Sequence, residues 1–327
     1  MNDKMVSEIL KEYAIHVSSV VFIRHNENMT YKVTDEALGM SYLLRIHQAV
    51  APNMSGLQHT YEGLKMEMML LEELSETKDI LVQTPVRNTS GKWVTQVKAE
   101  GKVIHSTLLE WIEGRDIQKD EVISEEYITH LAKQVRNLHQ FGKSTELSKS
   151  QFRPTYSGIA DNEAMLKKLE VGASLDVFSA DDFIIIKKFF ELHNTRLQTY
   201  PKTANTWGII HADINKGNLL VTEHGIAIID FCLFGYGYYL YDVAGCVLSF
   251  KSEDRDHFIA EYIGKSSTLV EMDTQLLEGF MMLSVFGFYA FHMENEEKHT
   301  WMRDRMPILC KKYCLPYIDH QSILYTL

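Results

Sequence analysis

The stretch from Gly208 to Gly245, GIIHADINKGNLLVTEHGIAIIDFCLFGYGYYLYDVAG, constrains this chain more than any other. Leu219-Leu220-Val221 and Ile226 to Ile229 are short apolar runs separated by Glu223-His224-Gly225, a spacing that predicts two antiparallel strands joined by a tight turn. Asn218 opens the first strand and Asp230 closes the second, so the hairpin carries an amide and a carboxylate to one edge. His211-Ala212-Asp213 lies on the loop that feeds the same hairpin.

A carboxylate beside a neutral oxygen donor is a hard-oxygen site. It is too sparse to cage calcium and suits magnesium, which keeps waters and takes its remaining ligands from phosphates. Asp213, five positions before Asn218, can reach an acceptor hydroxyl brought up to a metal-bound phosphate. An isolated H-x-D is most often a loop with a satisfied histidine, whereas three polar residues in fixed order on a loop and both ends of a hairpin point to chemistry.

Asp213, Asn218 and the pair Asp230-Phe231 follow the order and near-spacing of the kinase pattern of a catalytic-loop Asp, an Asn four intervening residues later, and an Asp-Phe on the next strand. With Gly235, Gly237 and Tyr241-Asp242, this stretch resembles the aminoglycoside phosphotransferase, choline kinase and type II homoserine kinase group. It departs from the protein-kinase version in reading H-A-D rather than H-R-D and in placing Cys232 after Asp-Phe. The resemblance implies an α+β, two-lobed, protein-kinase-like fold with ATP and Mg2+ as cofactors. It implies an N-terminal nucleotide-binding lobe over 1–109, an inter-lobe connector over 110–116 and a helical C-terminal lobe over 117–327. Asp213 would be the catalytic base, Asn218 and Asp230 the metal ligands, and His211 and Asp242 supports of the catalytic loop.

Ahead of that stretch, three strands are predicted over Val17 to Arg24, Thr30 to Thr34 and Ser41 to His47. The turn His25-Asn26-Glu27-Asn28 stands where a kinase places its phosphate-covering loop, and it contains no glycine. The resemblance makes Asn28 a nucleotide contact, although the backbone approaches a phosphate less closely without glycine. On the third strand Leu43, Arg45 and His47 share one face and Tyr42, Leu44 and Ile46 the other. Arg45 falls where the family carries the basic residue, usually Lys, that meets the nucleotide phosphates; the alternative is a surface-strand arginine. A helix is predicted over Leu57 to Glu76 from the stripe Leu64, Met68, Leu71 and Leu74, and Glu67 beside that stripe would pair with Arg45. Further strands are expected at Leu81 to Arg87, Trp93 to Lys98 and Val103 to Trp111. The segment from Glu110 to Arg115 resembles the family's connector, whose main-chain groups at Glu110 and Ile112 would bind adenine, with Gly114 as a hinge.

Beyond the connector the pattern turns helical. Ile128, Leu131, Val135 and Leu138 define one buried face from Ser124 to Phe141, and Ser179 with Asp182 caps a helix over Phe183 to Leu197. The polar run from Lys143 to Asp161 reads as an exposed insertion. Between Asp230 and Asp242 the chain has no Ser or Thr and is dense in aromatic residues, which suits a closed pocket for a small acceptor rather than a phosphorylation-ordered segment. Tyr236, Tyr238, Tyr289 and Trp301 are acceptor-binding candidates, with Phe288, His292 and Glu294 near the last two, although aromatic stripes at helical spacing more often pack cores.

Composition narrows the partners. The chain has 327 residues and a net charge of −11, which argues against a nucleic-acid partner and tolerates a cationic substrate. The start, MNDKMVSEILKEYAI, lacks the basic and apolar regions of a secretory signal. The apolar run near Gly279 to Phe291 reads as a buried helix too short to cross a bilayer. Cys232, Cys246, Cys310 and Cys314 read as reduced, buried thiols rather than zinc ligands. These features predict a cytoplasmic, ATP- and magnesium-dependent phosphotransferase acting on a hydroxyl of an aminoglycoside-, homoserine- or choline-like molecule, with no nucleic-acid or membrane partner. Two alternatives stay open: a small bacterial Ser/Thr protein kinase of the same fold, and a catalytically silent nucleotide-binding scaffold. The acceptor, the choice of ATP or GTP and the oligomeric state are not encoded legibly.

Overall fold

The computed structural model describes residues 2–327 except 51–55, 100, 119–120, 146, 148–150, 157 and 265–270. In chain order the elements are α1 (Asn2–Leu10), β1 (Ser19–His25), β2 (Met29–Asp35), β3 (Met40–Ile46), α2 (Tyr61–Thr77), β4 (Pro85–Val86), β5 (Val94–Ala99), β6 (Lys102–Glu110) and β7 (Arg115–Asp116). Then follow α3 (Glu125–Phe141), α4 (Ile159–Ser174), α5 (Ala180–Thr199), β8 (Trp207–Ile210), β9 (Leu219–Thr222), β10 (Gly225–Ile228), β11 (Gly235–Tyr238) and α6 (Tyr239–Ser249). The chain closes with α7 (Ser252–Ile263), α8 (Glu271–Phe291), α9 (Glu296–Leu309) and α10 (Leu315–Ile318). Two compact units emerge. The first comprises Met1–Ile117, Thr145–Pro154 and Gly217–Phe234, and the second Gln118–Ser144, Thr155–Lys216 and Gly235–Leu327. The segments 145–154 and 217–234, which a single cut at the connector would place with the C-terminal part, cluster with the first unit.

The first unit is built on an antiparallel sheet ordered β1-β2-β3-β6-β4, with β5 also paired to β6. Alternation along the strands gives it two unlike faces. One is apolar: Met29, Tyr31, Val33, Tyr42, Leu44, Ile46 and Leu108 bury against Val6, Ile9 and Leu10 of α1, a helix that sequence reading passed over. The other face presents Thr30, Arg45 and Thr107 in one cross-strand row. The helix expected from Leu57 begins as a short 3-10 turn, Leu57–His59, and restarts at Tyr61 because Thr60 caps α2, its hydroxyl accepting the Gly63 N–H at 3.1 Å. Leu64, Met68, Leu71 and Leu74 are buried as the stripe requires. The strand expected over Leu81 to Arg87 shrinks to Pro85–Val86, since the Leu81 carbonyl accepts from Ile228 N at 2.9 Å instead of joining the ladder. Gly114 has ordinary negative φ; its role is close packing, because a Cβ there would meet the Val221 carbonyl at 3.0 Å and Thr222 Cγ2 at 3.2 Å.

In the second unit, Ser179 caps α5 as read, accepting from Asp182 N at 3.0 Å, and Ser124 caps α3, accepting from Tyr127 N at 3.4 Å. The exposed insertion expected over Lys143 to Asp161 lies partly outside the described residues; in the rest Lys143, Ser144, Gln151 and Phe152 are exposed, but the run also contributes buried residues and the start of a helix. Arg153 is 2% exposed, and Ile159 already belongs to α4. That helix was hard to read because its buried residues are few, Asn162, Leu169 and Gly172, and its N-terminus is set by Gly158 at φ +86 rather than by a Ser or Thr cap. A second correction concerns the apolar run near Gly279. It extends N-terminally into the 21-residue α8, and Asp273–Phe291 is long and apolar enough by length and composition to cross a membrane. Of that window 61% is buried within the protein, where α8 packs on α4, α5 and α6. Its Glu278 is buried yet satisfied, accepting from Ser322 Oγ and from Ile323 N and Leu324 N at 3.0 Å. The four cysteines are free and buried.

Candidate active site

The hairpin forms in the expected register. Leu219 pairs with Ile228 and Thr222 with Gly225, leaving Glu223-His224 as the two-residue turn. Ile229 N donates to the Asn218 carbonyl at 3.0 Å, which carries the ladder one step further and sets Asn218 and Asp230 at the same open end. Asp230 has left-handed backbone, φ 66 and ψ 61. Asp tolerates this conformation better than most residues, and strain of this kind collects at functional sites.

Arg45 is 3% exposed, so it is not a surface arginine. Its Nη2 lies 2.8 Å from Oε1 of Glu67, which is fully buried on α2, and its Nη1 lies 4.0 Å from Asp230 Oδ1. Burial works against the charge of Arg45, but Glu67 and Asp230 outweigh it and raise the guanidinium pKa. The arginine is further held by a neutral relay. Burial, reinforced by Arg45, pushes His47 well below the usual imidazole range. A neutral His47 can donate from Nδ1 to Asn28 Oδ1 at 2.6 Å while Nε2 accepts from the Thr107 hydroxyl at 2.9 Å, and Thr107 in turn accepts from Arg45 Nε at 3.4 Å. Asn28 is therefore tied through His47 and Thr107 to the buried cation. The rest of the glycine-free loop is pinned as well: Cys232 Sγ donates to Glu27 Oε2 at 3.4 Å, and burial, then Asp230 and Glu27, holds that thiol well above its ordinary pKa.

Arg153 is a residue that sequence reading missed. Its guanidinium donates to the carbonyls of Phe234 at 2.9 Å, Cys232 at 2.6 Å, Phe231 at 3.4 Å and Gly63 at 3.1 Å, and stacks 3.9 Å from the Phe234 ring centroid. It thus straps the segment that follows Asp230 to the first turn of α2. A lone arginine in a polar run offers no periodic signal, so only the folded chain reveals it. In the segment expected as the connector, Glu110 N donates to the Thr84 carbonyl at 2.8 Å and Trp111 N to the Ser41 carbonyl at 2.9 Å, while Ile112 lies just past the strand end.

Within the second unit, Asp242 accepts from His211 N at 2.7 Å and Ala212 N at 2.8 Å, holding the loop that carries Asp213. Ala212 is left-handed, φ 67, where an alanine is strained. Asp213 N bonds His211 Nδ1 at 3.2 Å, and Asn215 Nδ2 donates to Asp213 Oδ1 at 3.0 Å. Behind Asp242 stands His139, with Nε2 at 3.2 Å from Asp242 Oδ2 and Nδ1 at 2.7 Å from the Tyr262 hydroxyl. Neither His139 nor Tyr262 was legible in advance. Gly245 leaves room for the Ile214 carbonyl, against which a Cβ would collide. The aromatic candidates divide. Tyr236, Tyr238 and Tyr289 are buried, Tyr238 against Trp207 at 4.9 Å and Tyr200 at 5.5 Å, whereas Trp301 is 37% exposed and packs on Tyr289 and Phe288.

No cluster of three His, Cys, Asp or Glu able to hold a metal occurs among the described residues. One carboxylate and one amide at a hairpin end nonetheless fit a magnesium ion that draws its other ligands from phosphate and water.

The match to known proteins is consistent across sequence and structure. Residues 19–273 match the phosphotransferase enzyme family. Amicoumacin kinase of Bacillus subtilis (strain 168) is 21% identical over 243 residues, covering 74% of this chain and 66% of that protein, just under two thirds of its length. Among solved structures, a microcompartment-associated aminopropanol kinase superposes with a TM-score of 0.75 at 21% identity, covering 97% of this chain and 98% of that one. An amicoumacin kinase solved with AMP-PNP and Ca2+ superposes with a TM-score of 0.73 at 18% identity, covering 98% and 94%. The α+β fold is that of these kinases, and with more than half of its length matched, the chain belongs to the phosphotransferase enzyme family.

Proposed function

We propose that this protein is an ATP- and Mg2+-dependent kinase that phosphorylates a hydroxyl of a small, amine-bearing alcohol. The observation that carries this reading is the buried Arg45–Glu67 pair, whose guanidinium faces Asp230 at the open end of the hairpin. A fully buried cation anchored by its own acid and aimed at a part-exposed carboxylate is an arrangement for gripping phosphate beside a metal. Asn218 and Asp230 hold the ion, which when bound neutralises charge on the transferring phosphoryl group. Arg45 steadies the nucleotide phosphates from a position that Glu67, Thr107 and His47 keep rigid. Asn28 shapes the loop above them, and main-chain groups near Glu110 and Ile112 line the adenine side. Asp213 orients the acceptor hydroxyl and takes its proton, on a loop whose backbone Asp242 fixes. Because phosphoryl transfer passes through a loose transition state, positioning and charge supply most of the rate and the base is secondary.

An amine-bearing acceptor is favoured by the net charge of −11 and by the names of the relatives, amicoumacin kinase and aminopropanol kinase. Trp301 is the most exposed of the four aromatic candidates. Four free thiols suit a reducing, cytoplasmic setting.

A magnesium-dependent ADP-release screen across amino alcohols, aminoglycosides, homoserine and choline tests the reading. Turnover with at least one acceptor is expected. With that acceptor, Asp213→Asn should keep MgATP affinity and lose about 10²–10⁴-fold in turnover, and Asp230→Asn should lose magnesium stimulation and weaken MgATP binding. Background ADP release with every acceptor, alongside intact MgATP binding, would instead identify a silent nucleotide-binding protein.

A further inference from the structure

β1 and β2 pair in simple register from Ser19 with Thr34 to Phe22 with Tyr31, after which Arg24 pairs with Thr30 and His25 with Met29. Ile23 is therefore an extra residue on β1, a β-bulge. In an unbulged strand Arg24 would oppose Met29 and share the face of Phe22, whose ring packs 5.4 Å from that of Tyr31. The bulge turns Arg24 to the opposite face, into the row Arg24, Thr30, Arg45 and Thr107. Bulges recur beside active sites because they re-aim side chains in this way.

On that face Arg24 Nη2 meets Asp230 Oδ2 at 3.2 Å. The Arg24 side chain is 52% exposed, so the pair adds little to stability, and stability does not account for the bulge. Arg45 lies 2.8 Å from Glu67 and 4.0 Å from the other oxygen of Asp230, so one buried cation faces two carboxylates and Arg24 supplies the second positive charge beside Asp230 in the resting protein. Arg45 is committed to Glu67 and buried, whereas Arg24 sits on a long, exposed side chain that can leave. Its planar fork of donors matches phosphate oxygens as well as a carboxylate.

We propose that Arg24 is an exchangeable cation: it covers Asp230 while the protein is free and moves to the triphosphate oxygens when metal and nucleotide bind together. This rests on the nucleotide and metal reading given above. Free divalent ion must then compete with Arg24 for Asp230, whereas metal arriving with a triphosphate offers the arginine a new partner. The exchange favours joint loading over metal alone.

The test uses the full chain with Arg24→Gln and Arg24→Lys, following Mn2+ binding without nucleotide by electron paramagnetic resonance and nucleotide affinity by calorimetry. Arg24→Gln should bind Mn2+ alone about threefold or more tighter, bind ATP with Mn2+ about fivefold or more weaker, and bind AMP within about twofold of wild type. Arg24→Lys should recover much of the ATP affinity as a point charge. A purely structural arginine would shift none of these in opposite directions. If Arg24→Gln leaves either the Mn2+ or the ATP constant within about twofold of wild type, the exchange is overturned. If wild type itself binds neither ATP nor Mn2+, the underlying nucleotide reading fails instead.

Discussion

A charge or a titratable ring inside a protein survives only with its partners supplied, and several residues here show the rule. Glu67, fully buried, persists because Arg45 stands 2.8 Å away, and Arg45 keeps its charge because Glu67 and Asp230 together outweigh its burial. Where no acid is at hand, the ring stays neutral. His193 lies fully buried in the second unit with Nδ1 3.1 Å from the Tyr317 hydroxyl, and burial, followed by the charge of Arg196, pushes its pKa down to about 3. In the unfolded chain the same ring titrates near about 6.5. The folded value is depressed, so the unfolded state binds the extra proton first: stability is complete above about pH 6.5 and declines as pH falls toward the folded value. Lowering the pH from about 7.5 to 5 should cost about 2 kcal/mol through His193 alone. Urea unfolding at both pH values checks this, and His193→Gln should lose less stability than wild type over that interval. The Arg45 position and the Glu67 partner were legible because kinase-like order assigns them; the Asn28–His47–Thr107 relay was not, since its members come from two turns of chain and a distant strand and meet only when the sheet forms.

At the scale of elements, the hairpin was the easiest part to read. Apolar runs of three and four residues on either side of a turn leave a two-strand ladder as almost the only outcome, and the ladder register then fixes which polar residues share its open end. The three N-terminal strands, α3 and α5 follow from the same alternation and capping logic. Failures are equally physical: α4 hides because few of its residues are buried, and α2 starts late because the short Leu57–His59 turn precedes it and Thr60 caps its first turn. The bulge at Ile23 left no trace in the pattern, because one extra apolar residue in SVVFIRH looks like a longer strand. Arg153 belongs at this scale, for it joins the segment 231–234 to α2 and so holds the element that carries Asp230. Arg153→Met keeps the bulk but strands several buried carbonyls. It should cost about 3 kcal/mol of stability, read by urea unfolding, and should raise the KM for MgATP more than the KM for the acceptor.

For the whole molecule the decisive quantities are charge and connectivity. A net charge of −11 surrounds the protein with a field that draws cations and that salt screens. With a cationic acceptor, kcat/KM should fall about threefold as salt rises from about 0.02 to about 0.3 M, while an uncharged acceptor should show almost no change; stopped-flow or coupled-assay rates against ionic strength settle it. Connectivity is less transparent, because the chain enters the first unit three times, at Met1–Ile117, Thr145–Pro154 and Gly217–Phe234. Residue order, alternation and the resemblance they carry supply the α+β class, the expectation that Asp213, Asn218 and Asp230 act together, the hairpin that aligns two of them, and the buried faces of most strands and helices. These depend on local period and spacing, which a linear chain displays. What tertiary structure alone decided are the partners of buried polar groups: Arg153 on its carbonyls, His139 behind Asp242, the His47 relay, and Arg24 turned by a bulge onto Asp230. Such contacts join residues as many as 206 positions apart, and no periodicity records them, because their geometry exists only once the backbone has closed around them.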